Sequence, residues 1–429
     1  MRFRLIIILA IMAATLQGQT IISGNVSGTW DSQGSPYQLE ANTVVLAGDT
    51  LIIEANTSID FSGRFELRIR GTLMAHDAVF SNGGELFSEN GRVSLNRCHF
   101  LNLAEGISIY GGQTTIEDCL IDSTLENGIT FSGADSSYIR RSHILNSGGY
   151  GIKLSGSDFV EIYGNVLKGN STQDFSHPAL FIDSCSPQIV ANNLVENNHA
   201  QGIGVWTLTA IAAPVISNNL VRGNYTGITI VNSPAFILDN VIVANYQEGN
   251  FNSGAGIYAG YPSARGIIMG NYIGGNYAGI SNISNANMNM GDMVNDYPGD
   301  DGLNLFYDNS FEGTTWHIWN GTSSQLLAQN NYWLGLDITE VDATLHDNEE
   351  GAGEIIFEPI YAAPLPDPPD INDDETLNIL DIIILIENVL TMDVPEPIAF
   401  YLSDINHDYT IDVNDILELI DLVIVEAEG

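Results

Sequence analysis

The sequence predicts a parallel β-helix, a solenoid of short stacked strands, followed by a small α-helical tail. Two repeats and one change of pattern indicate this. A Gly-Ile step recurs along the chain, an Asn-x4-Asn motif precedes the later steps, and beyond residue 369 two acidic loops each run into an apolar helix. A chain of 429 residues also exceeds what one compact core usually supports, which favours a repetitive architecture.

Residues 1–19 have the features of a secretory signal peptide. Arg2 and Arg4 precede an apolar run over residues 5–16, and small and polar residues follow around Gly18. That run is too short to span a bilayer comfortably, and no later stretch reaches its length. We therefore expect a secreted, extracellular protein without a membrane span.

The Gly-Ile step marks one short strand in each coil of the predicted β-helix, which we place at residues 20–362. Apolar residues alternate after each step, so Ile228 should point inward and Thr229 outward. A unit of about 23 residues cannot bury its apolar face alone, whereas stacked units share one core. The steps lie at Gly106-Ile107, Gly128-Ile129, Gly151-Ile152, Ala179-Leu180, Gly202-Ile203, Gly227-Ile228, Gly256-Ile257 and Gly279-Ile280.

The Asn-x4-Asn motif predicts the turns of the later coils. Asparagine tolerates left-handed backbone and bonds locally, and stacked asparagine side chains can bond one another along the solenoid. The pairs are Asn165/Asn170, Asn193/Asn198, Asn219/Asn224, Asn240/Asn245 and Asn271/Asn276.

Charge and cysteine content exclude several classes of function. The formal net charge is -40, with 13 Lys+Arg against 53 Asp+Glu, and no Lys or Arg follows Arg265. Nucleic acid and anionic membranes need clustered cations, so neither is an expected partner. Three cysteines are too few for a disulfide scaffold. Cys98 and Cys119 occupy equal phase one coil apart, where they either form a bridge or fill the core as small apolar groups.

The opening Gly28-Thr29-Trp30, the phased coils and the closing Asn330-Asn331-Tyr332-Trp333 resemble secreted bacterial right-handed parallel β-helix proteins of the pectin-lyase-like superfamily. The resemblance covers residues 24–360 and implies that fold. It implies no single activity, because the superfamily includes lyases, glycosidases, epimerases and members with no known chemistry. A proline-rich linker follows at residues 363–369.

The tail, residues 370–429, contains two segments with the spacing of calcium loops. Oxygen-bearing residues occupy positions 1, 3, 5, 7, 9 and 12 of each segment, and apolar helices are predicted at 382–390 and 416–424. The sequence therefore predicts two Ca2+ sites. Their ligands are Asp370, Asn372, Asp374, Thr376, Asn378 and Asp381 in the first loop, and Asp404, Asn406, Asp408, Thr410, Asp412 and Asp415 in the second.

These duplicated loops resemble a dockerin, the module that docks onto cohesin domains of extracellular scaffolds. The resemblance implies a cohesin-bearing partner, with specificity at loop positions 10 and 11, which are Ile379, Leu380, Val413 and Asn414. The usual glycine at position 6 is Glu375 in the first loop and Tyr409 in the second. The sharp turn must therefore be made with a side chain present, which predicts backbone strain.

A column of charges on successive coils offers the first candidate site in the β-helix. Lys168, Glu196 and Arg222 each lie three residues after the first Asn of a repeat. Lys168 and Arg222 could present a basic group beside a uronic acid and assist catalysis. The alternative is that the column is cross-strand charge pairing.

An aromatic stripe gives the second candidate site. It consists of His199, Tyr225, Tyr246 and Tyr277, which either bind sugar rings or pack on one another over the turns. Insertions at residues 171–178 and 246–255 lengthen this same turn, so they could wall a groove floored by His199 and Tyr225. On those walls, Asp174, His177 and Glu248 are candidate acids or bases.

Two classes of function follow from these features. In the first, a secreted β-helix binds or processes extracellular polysaccharide and is attached to a scaffold or cell surface through its calcium-dependent tail; an enzyme of this kind would be a polysaccharide lyase or glycoside hydrolase. In the second, the solenoid is a non-catalytic structural or adhesion module, and the tail is only a calcium-stabilised end domain.

Overall fold

The chain forms a parallel β-solenoid of about 13 turns, which confirms the fold class predicted for its main part. The computed structural model describes residues 19–173, 176–206, 212–246, 254–361, 365, 369–374, 376–391 and 394–428. The predicted signal peptide lies outside the described residues except for residue 19, as does most of the predicted linker.

Short strands follow one another closely along the solenoid. The first are β1 Thr20–Asn25, β2 Gly28–Trp30, β3 Tyr37–Val45, β4 Thr50–Ile53, β5 Ser58–Phe61, β6 Glu66–Ile69, β7 Thr72–His76, β8 Val79–Ser81, β9 Glu85–Glu89, β10 Arg92–Asn96 and β11 His99–Leu101. The central strands are β12 Ile107–Tyr110, β13 Gln113–Glu117, β14 Leu120–Asp122, β15 Ile129–Ser132, β16 Tyr138–Arg140, β17 His143–Leu145, β18 Ile152–Ser155, β19 Glu161–Tyr163, β20 Val166–Lys168, β21 Leu180–Asp183, β22 Ile189–Ala191, β23 Leu194–Glu196, β24 Gln201–Trp206, β25 Val215–Ser217, β26 Leu220–Arg222, β27 Thr226–Val231, β28 Pro234–Leu238, β29 Val241–Val243, β30 Ala255–Gly260, β31 Arg265–Met269, β32 Tyr272–Gly274 and β33 Ala278–Ile283. The last are β34 Asn287–Asn289, β35 Leu305–Tyr307, β36 Ser310–Phe311, β37 Thr314–Thr315, β38 Ile318–Gly321, β39 Leu326–Leu327, β40 Tyr332–Trp333, β41 Leu345–His346 and β42 Ile355–Ile356.

In the described residues, 40 of the 42 strands build two parallel sheets, the larger with 26 strands and the smaller with 14, and β36 and β37 form a separate antiparallel pair. A typical coil contributes two strands to the larger sheet and one to the smaller, as β12, β14 and β13 do. The predicted Gly-Ile steps are in register: Ile107 pairs with Ile129, and Ile129 with Ile152. The repeat found in the sequence is therefore the structural coil.

The core is the shared interior of the stacked coils. Ile228 is fully buried, as predicted for the inward position, and so is Ile230. Thr229 points outward but is only 7% exposed, which differs from the expected open surface position. Its neighbour in the pairing register is Tyr258, whose large side chain stands beside the small threonine.

The asparagines form two ladders inside the turns, as the repeat predicted. Asn224 shows the pattern: its Nδ2 donates to Asn245 Oδ1 at 3.0 Å, and its Oδ1 accepts from the Nδ2 of Asn198 at 2.9 Å. Both ladders continue beyond the predicted pairs. The additional members are Asn304, Asn309 and Asn331.

The three cysteines are buried free thiols. Cys98 and Cys119 stack on successive coils, and the backbone N–H of Cys98 donates to Cys119 Sγ at 3.4 Å. They fill the core, which was one of the two predicted alternatives.

Four α-helices lie in the C-terminal part of the described chain: α1 Ile338–Asp342, α2 Ile379–Leu390, α3 Pro397–Ser403 and α4 Val413–Glu428. Two 3-10 turns, Pro298–Asp300 and Asn348–Glu350, interrupt the last coils. Helices α2 and α4 start three residues earlier than predicted, because Asn378 and Asp412 accept backbone N–H bonds at their N-termini. Among the described residues, no helix combines the length and apolar content needed to cross a membrane.

Candidate functional site

Aromatic side chains cluster on the outer face of the larger sheet. Tyr150 and His177 stack with ring centroids 4.1 Å apart, Tyr150 and Phe181 stack at 5.1 Å, and Trp206 meets Phe181 edge-on at 5.1 Å. We call these four residues the aromatic surface. Trp206 is 43% exposed and Phe181 only 4%, so a ligand can reach this surface at Trp206, and the Phe181 ring supports it from beneath.

Three successive coils place these rings together. Phe181 lies on the outward side of β21, where it pairs with Lys153 of β18 and with a glycine of β24. A side chain at that glycine, Gly204, would collide with Pro178 of the insertion. Pro178 therefore lies over the outer face of the sheet, and His177 beside it reaches the ring of Tyr150.

Two charged groups lie along this face. The Lys153 ammonium is 5.1 Å from the centre of the Tyr150 ring, which allows a cation–π contact. Glu105 occupies the same position in its coil as Tyr150 does two coils later. At the spacing of paired strands, the two residues are about 10 Å apart along the solenoid axis. Burial, together with the Glu85 and Glu126 carboxylates, raises the pKa of Glu105 to about 7. Glu105 can therefore act as an acid or a base near neutral pH.

The three residues of the predicted charge column form ion pairs with one another. Lys168 Nζ lies 2.6 Å from one Glu196 oxygen, and the Arg222 guanidinium lies 2.8 Å from the other. Burial raises the pKa of Glu196, but its two cationic neighbours outweigh that effect and hold the pKa below its ordinary value. The contacts match the cross-strand alternative, and both predicted catalytic cations are engaged with a carboxylate.

The three tyrosines of the predicted aromatic stripe lie close together in the structure. Tyr225 and Tyr246 line a cleft of about 350 Å³ beside Arg222. Tyr277 stacks on Tyr246 at 5.5 Å and meets Phe311 edge-on at 4.8 Å, so this part of the stripe packs on itself.

The walls of this cleft differ from the predicted groove. Asp408, Tyr409 and Thr410 of the tail form one side, and His199 is not among the lining residues. In the insertion at 171–178, the described residues His177 and Pro178 contact Tyr150 and the strand at Gly204 instead. The sequence could not reveal this, because the tail reaches the turn only through the tertiary fold.

The two loops of the tail have the same internal hydrogen bonds. In the first, Asp381 accepts from the backbone N–H groups of Ile371, Asn372 and Asn378 at 3.0, 3.2 and 2.9 Å. In the second, Asp415 accepts from Ile405, Asn406 and Asp412 at 2.8, 3.3 and 2.8 Å. Both position-12 carboxylates are fully buried inside their loops.

The ligand atoms of both loops are of the type that Ca2+ prefers, since every ligand position of the pattern offers an oxygen. Burial and the nearby Asp415 carboxylate raise the pKa of Asp404 to about 7, so negative charge is crowded in the second loop. In the part of the chain that is described, no group of three His, Cys, Asp or Glu side chains is arranged to hold a metal ion. The predicted ligand sets contain three and four carboxylates, and these are not arranged around one point in the structure, so the two calcium sites stay predictions.

The residues predicted to bind cohesin lie at the start of α2 and α4. Ile379, Leu380 and Val413 are 65%, 50% and 58% exposed, and Asn414 is exposed as well. The strain predicted at position 6 is present in the second loop, where Tyr409 has a left-handed backbone with φ of 65°.

Comparison with known proteins supports a right-handed β-helix for part of the solenoid. The family model "Right handed beta helix region" matches residues 61–212. No curated protein matches the sequence. Similar solved structures include the periplasmic alginate epimerase AlgG, at 12% identity over 78% of this chain and 84% of that chain, with a TM-score of 0.40.

Two further solved structures are similar to this chain. The A-module of mannuronan C-5 epimerase AlgE6 from Azotobacter vinelandii is 11% identical, covering 80% of this chain and 90% of that chain, with a TM-score of 0.30. The alginate lyase from Paenibacillus sp. str. FPU-7 is 13% identical, covering 79% and 99%, with a TM-score of 0.31. At these identities and TM-scores the likeness carries no inference about activity.

Most of the aromatic surface on this right-handed β-helix was not predicted from the sequence. His177 was among the predicted site residues, whereas Tyr150, Phe181 and Trp206 were not. The signal was present, because Phe181 and Trp206 occupy outward positions of strands that the Gly-Ile step already defined. Asp174 and Glu248, the other two predicted acids or bases, lie outside the described residues.

Proposed function

We propose that this protein is exported and binds extracellular polysaccharide along the outer face of its β-helix. The observation that carries the proposal is the aromatic surface, in which the exposed Trp206 ring and the half-buried Tyr150 and His177 rings pack around the buried ring of Phe181. Sugar rings present apolar faces that stack on aromatic side chains, and the exposed Trp206 ring offers such a stacking face on the β-helix.

The charge of the chain favours an uncharged polymer. With a net charge of -40, the protein repels polyanions at long range. Its few cations are largely neutralised, since at least seven of the 13 Lys and Arg residues pair with carboxylates. Those seven are Arg68, Arg70, Arg97, Arg140, Arg141, Lys168 and Arg222.

We expect Trp206→Ala to weaken polysaccharide binding by about 1 kcal/mol, roughly fivefold in Kd, because it removes the most exposed ring of the aromatic surface. Affinity electrophoresis against neutral and acidic polysaccharides measures this. Tyr163→Ala is the control, since Tyr163 is an aromatic residue 38% exposed on the smaller sheet. If no polysaccharide retards the native protein, the β-helix has no such role.

Enzymatic cleavage of the polysaccharide is the second candidate function, and the raised pKa of Glu105 favours it. Its pKa of about 7 suits a general acid or base at neutral pH, and it lies on the same edge of the sheet as Tyr150. Following reducing ends and unsaturated products on the same polysaccharides distinguishes the two. For an enzyme, Glu105→Gln should abolish product formation and largely keep binding. A binding module forms no product with either variant.

We further propose that the tail is a dockerin-like attachment module that binds two Ca2+ ions and docks onto a cohesin-bearing scaffold. The matching hydrogen-bond networks of the two loops support the metal part of this proposal. The exposed apolar side chains of Ile379, Leu380 and Val413 support the partner. If no cohesin binds, the tail is only a calcium-stabilised end domain.

Calcium removal should destabilise the tail, because each position-12 carboxylate is buried and would lose its cation. In the full-length protein, we expect added calcium to raise the unfolding temperature of the tail helices. Asp381→Ala combined with Asp415→Ala should remove most of that increase. Circular dichroism and calorimetry, with and without a chelator, measure the effect. Asp421→Ala, on the exposed side of α4, should respond to calcium like the native protein.

A further inference from the structure

The tail is anchored on the outer face of the β-helix. Phe400 of α3 is fully buried, and its ring lies 5.7 Å from that of Tyr272, which is 1% exposed. Apolar residues of neighbouring coils complete this interface, among them Leu220, Val241 and Leu305. The tail is therefore packed against the solenoid and not merely tethered to it.

The second loop adds a polar attachment beside this apolar one. The Tyr409 hydroxyl donates to Asp308 Oδ2 at 3.2 Å, and the Tyr409 carbonyl accepts from Arg222 Nη1 at 3.3 Å. The Tyr409 ring lies over Gly275, where any side chain would collide with it. His407 approaches the ring of Tyr307 at 5.6 Å.

Tyr409 contacts both the calcium loop and the β-helix. It occupies position 6 of the calcium pattern in a left-handed conformation that glycine adopts without strain. Its backbone N–H donates to Asp404 Oδ2 at 3.0 Å, and Asp404 is the position-1 ligand of that pattern. Tyrosine at this position costs backbone strain, and its side chain and carbonyl contact the β-helix.

We propose that Tyr409 couples calcium binding in the second loop to docking of the tail on the β-helix. An ordered loop holds Tyr409 in the left-handed conformation, which directs its ring onto Gly275 and its hydroxyl to Asp308. Coupling of this kind is reciprocal, so β-helix contacts must strengthen calcium binding as much as calcium strengthens docking. The inference rests on the proposed calcium binding.

Calcium titration calorimetry on the full-length protein tests the reciprocal effect. We expect Asp308→Gly to weaken calcium binding at one of two sites by about fivefold, the lower end of usual coupling factors. Glycine tolerates the left-handed backbone of Asp308, whose φ is 46°. Asp118→Gly is the matched control, with φ of 54° in an earlier coil. Unchanged calcium affinity in Asp308→Gly would overturn the coupling.

Solution X-ray scattering with and without a chelator tests docking. The native protein should become more extended when calcium is removed. Tyr409→Gly should be extended in both conditions, yet still bind two calcium ions, because glycine relieves the strain and removes the contacts. Glu375→Gly, the same position of the first loop, should behave like the native protein. A compact Tyr409→Gly protein refutes the proposal, whereas absence of calcium binding in the native protein refutes the metal sites themselves.

Discussion

Ile228→Asp should prevent the β-helix from folding stably. Ile228 is fully buried, and it pairs in register with Ile203 on one side and Ile257 on the other. A carboxylate at this position would lie in the shared core without a cationic partner. Burying such a charge costs several kcal/mol even after the surroundings relax. That cost is comparable with the whole stability of many domains.

Because coils share one core, the damage should extend to the coils on either side of the substituted one. Limited proteolysis and hydrogen exchange would show loss of protection in β24 and β30 as well as in β27. Ile52→Asp provides the matched control, since Ile52 is 37% exposed between buried Leu51 and Ile53. A protease-resistant Ile228→Asp protein would contradict the inward assignment of the Gly-Ile strand.

The repeat could be read from the sequence because its physical causes are local. Inward apolar residues alternate with period two, and buried Asn side chains recur where each turn needs donors and acceptors. Continuation of the ladder through Asn304 and Asn309 was missed because the Gly-Ile step is absent there. In its place His317 precedes Ile318, which continues the column by pairing with Ile280.

The candidate sites depended on contacts that the sequence does not show. From the sequence, Tyr409 was recognised only as a residue that replaces the usual glycine of the loop. Its contacts with the β-helix could not be predicted, because its partners Asp308 and Arg222 lie 101 and 187 residues away in the sequence. Thr229 was placed on the correct side of its strand, but its low exposure depends on the size of neighbours in other coils. Local pattern gives the direction of a side chain, whereas tertiary packing decides what covers it.

The second large effect is expected from Asn224→Ala, in the middle of an asparagine ladder. The two N–H groups of the Asn224 Nδ2 are shared among three acceptors: the carbonyls of Val195 and Arg222 at 2.9 and 3.0 Å, and Asn245 Oδ1 at 3.0 Å. Its Oδ1 accepts from both the backbone N–H and the Nδ2 of Asn198. Alanine would leave these groups without their partner in a place that is closed to water.

Each buried polar group that loses its hydrogen bond costs about 1–3 kcal/mol, and relaxation recovers part of the sum. We therefore expect Asn224→Ala to lower the free energy of unfolding by roughly 3–5 kcal/mol. Asn287→Ala, at an exposed position of β34, should change it by less than about 0.5 kcal/mol. Chemical denaturation of the two variants measures the difference. Equal stability would mean that the ladder only fills space, whereas the expected loss would show that each asparagine joins its coil to the next.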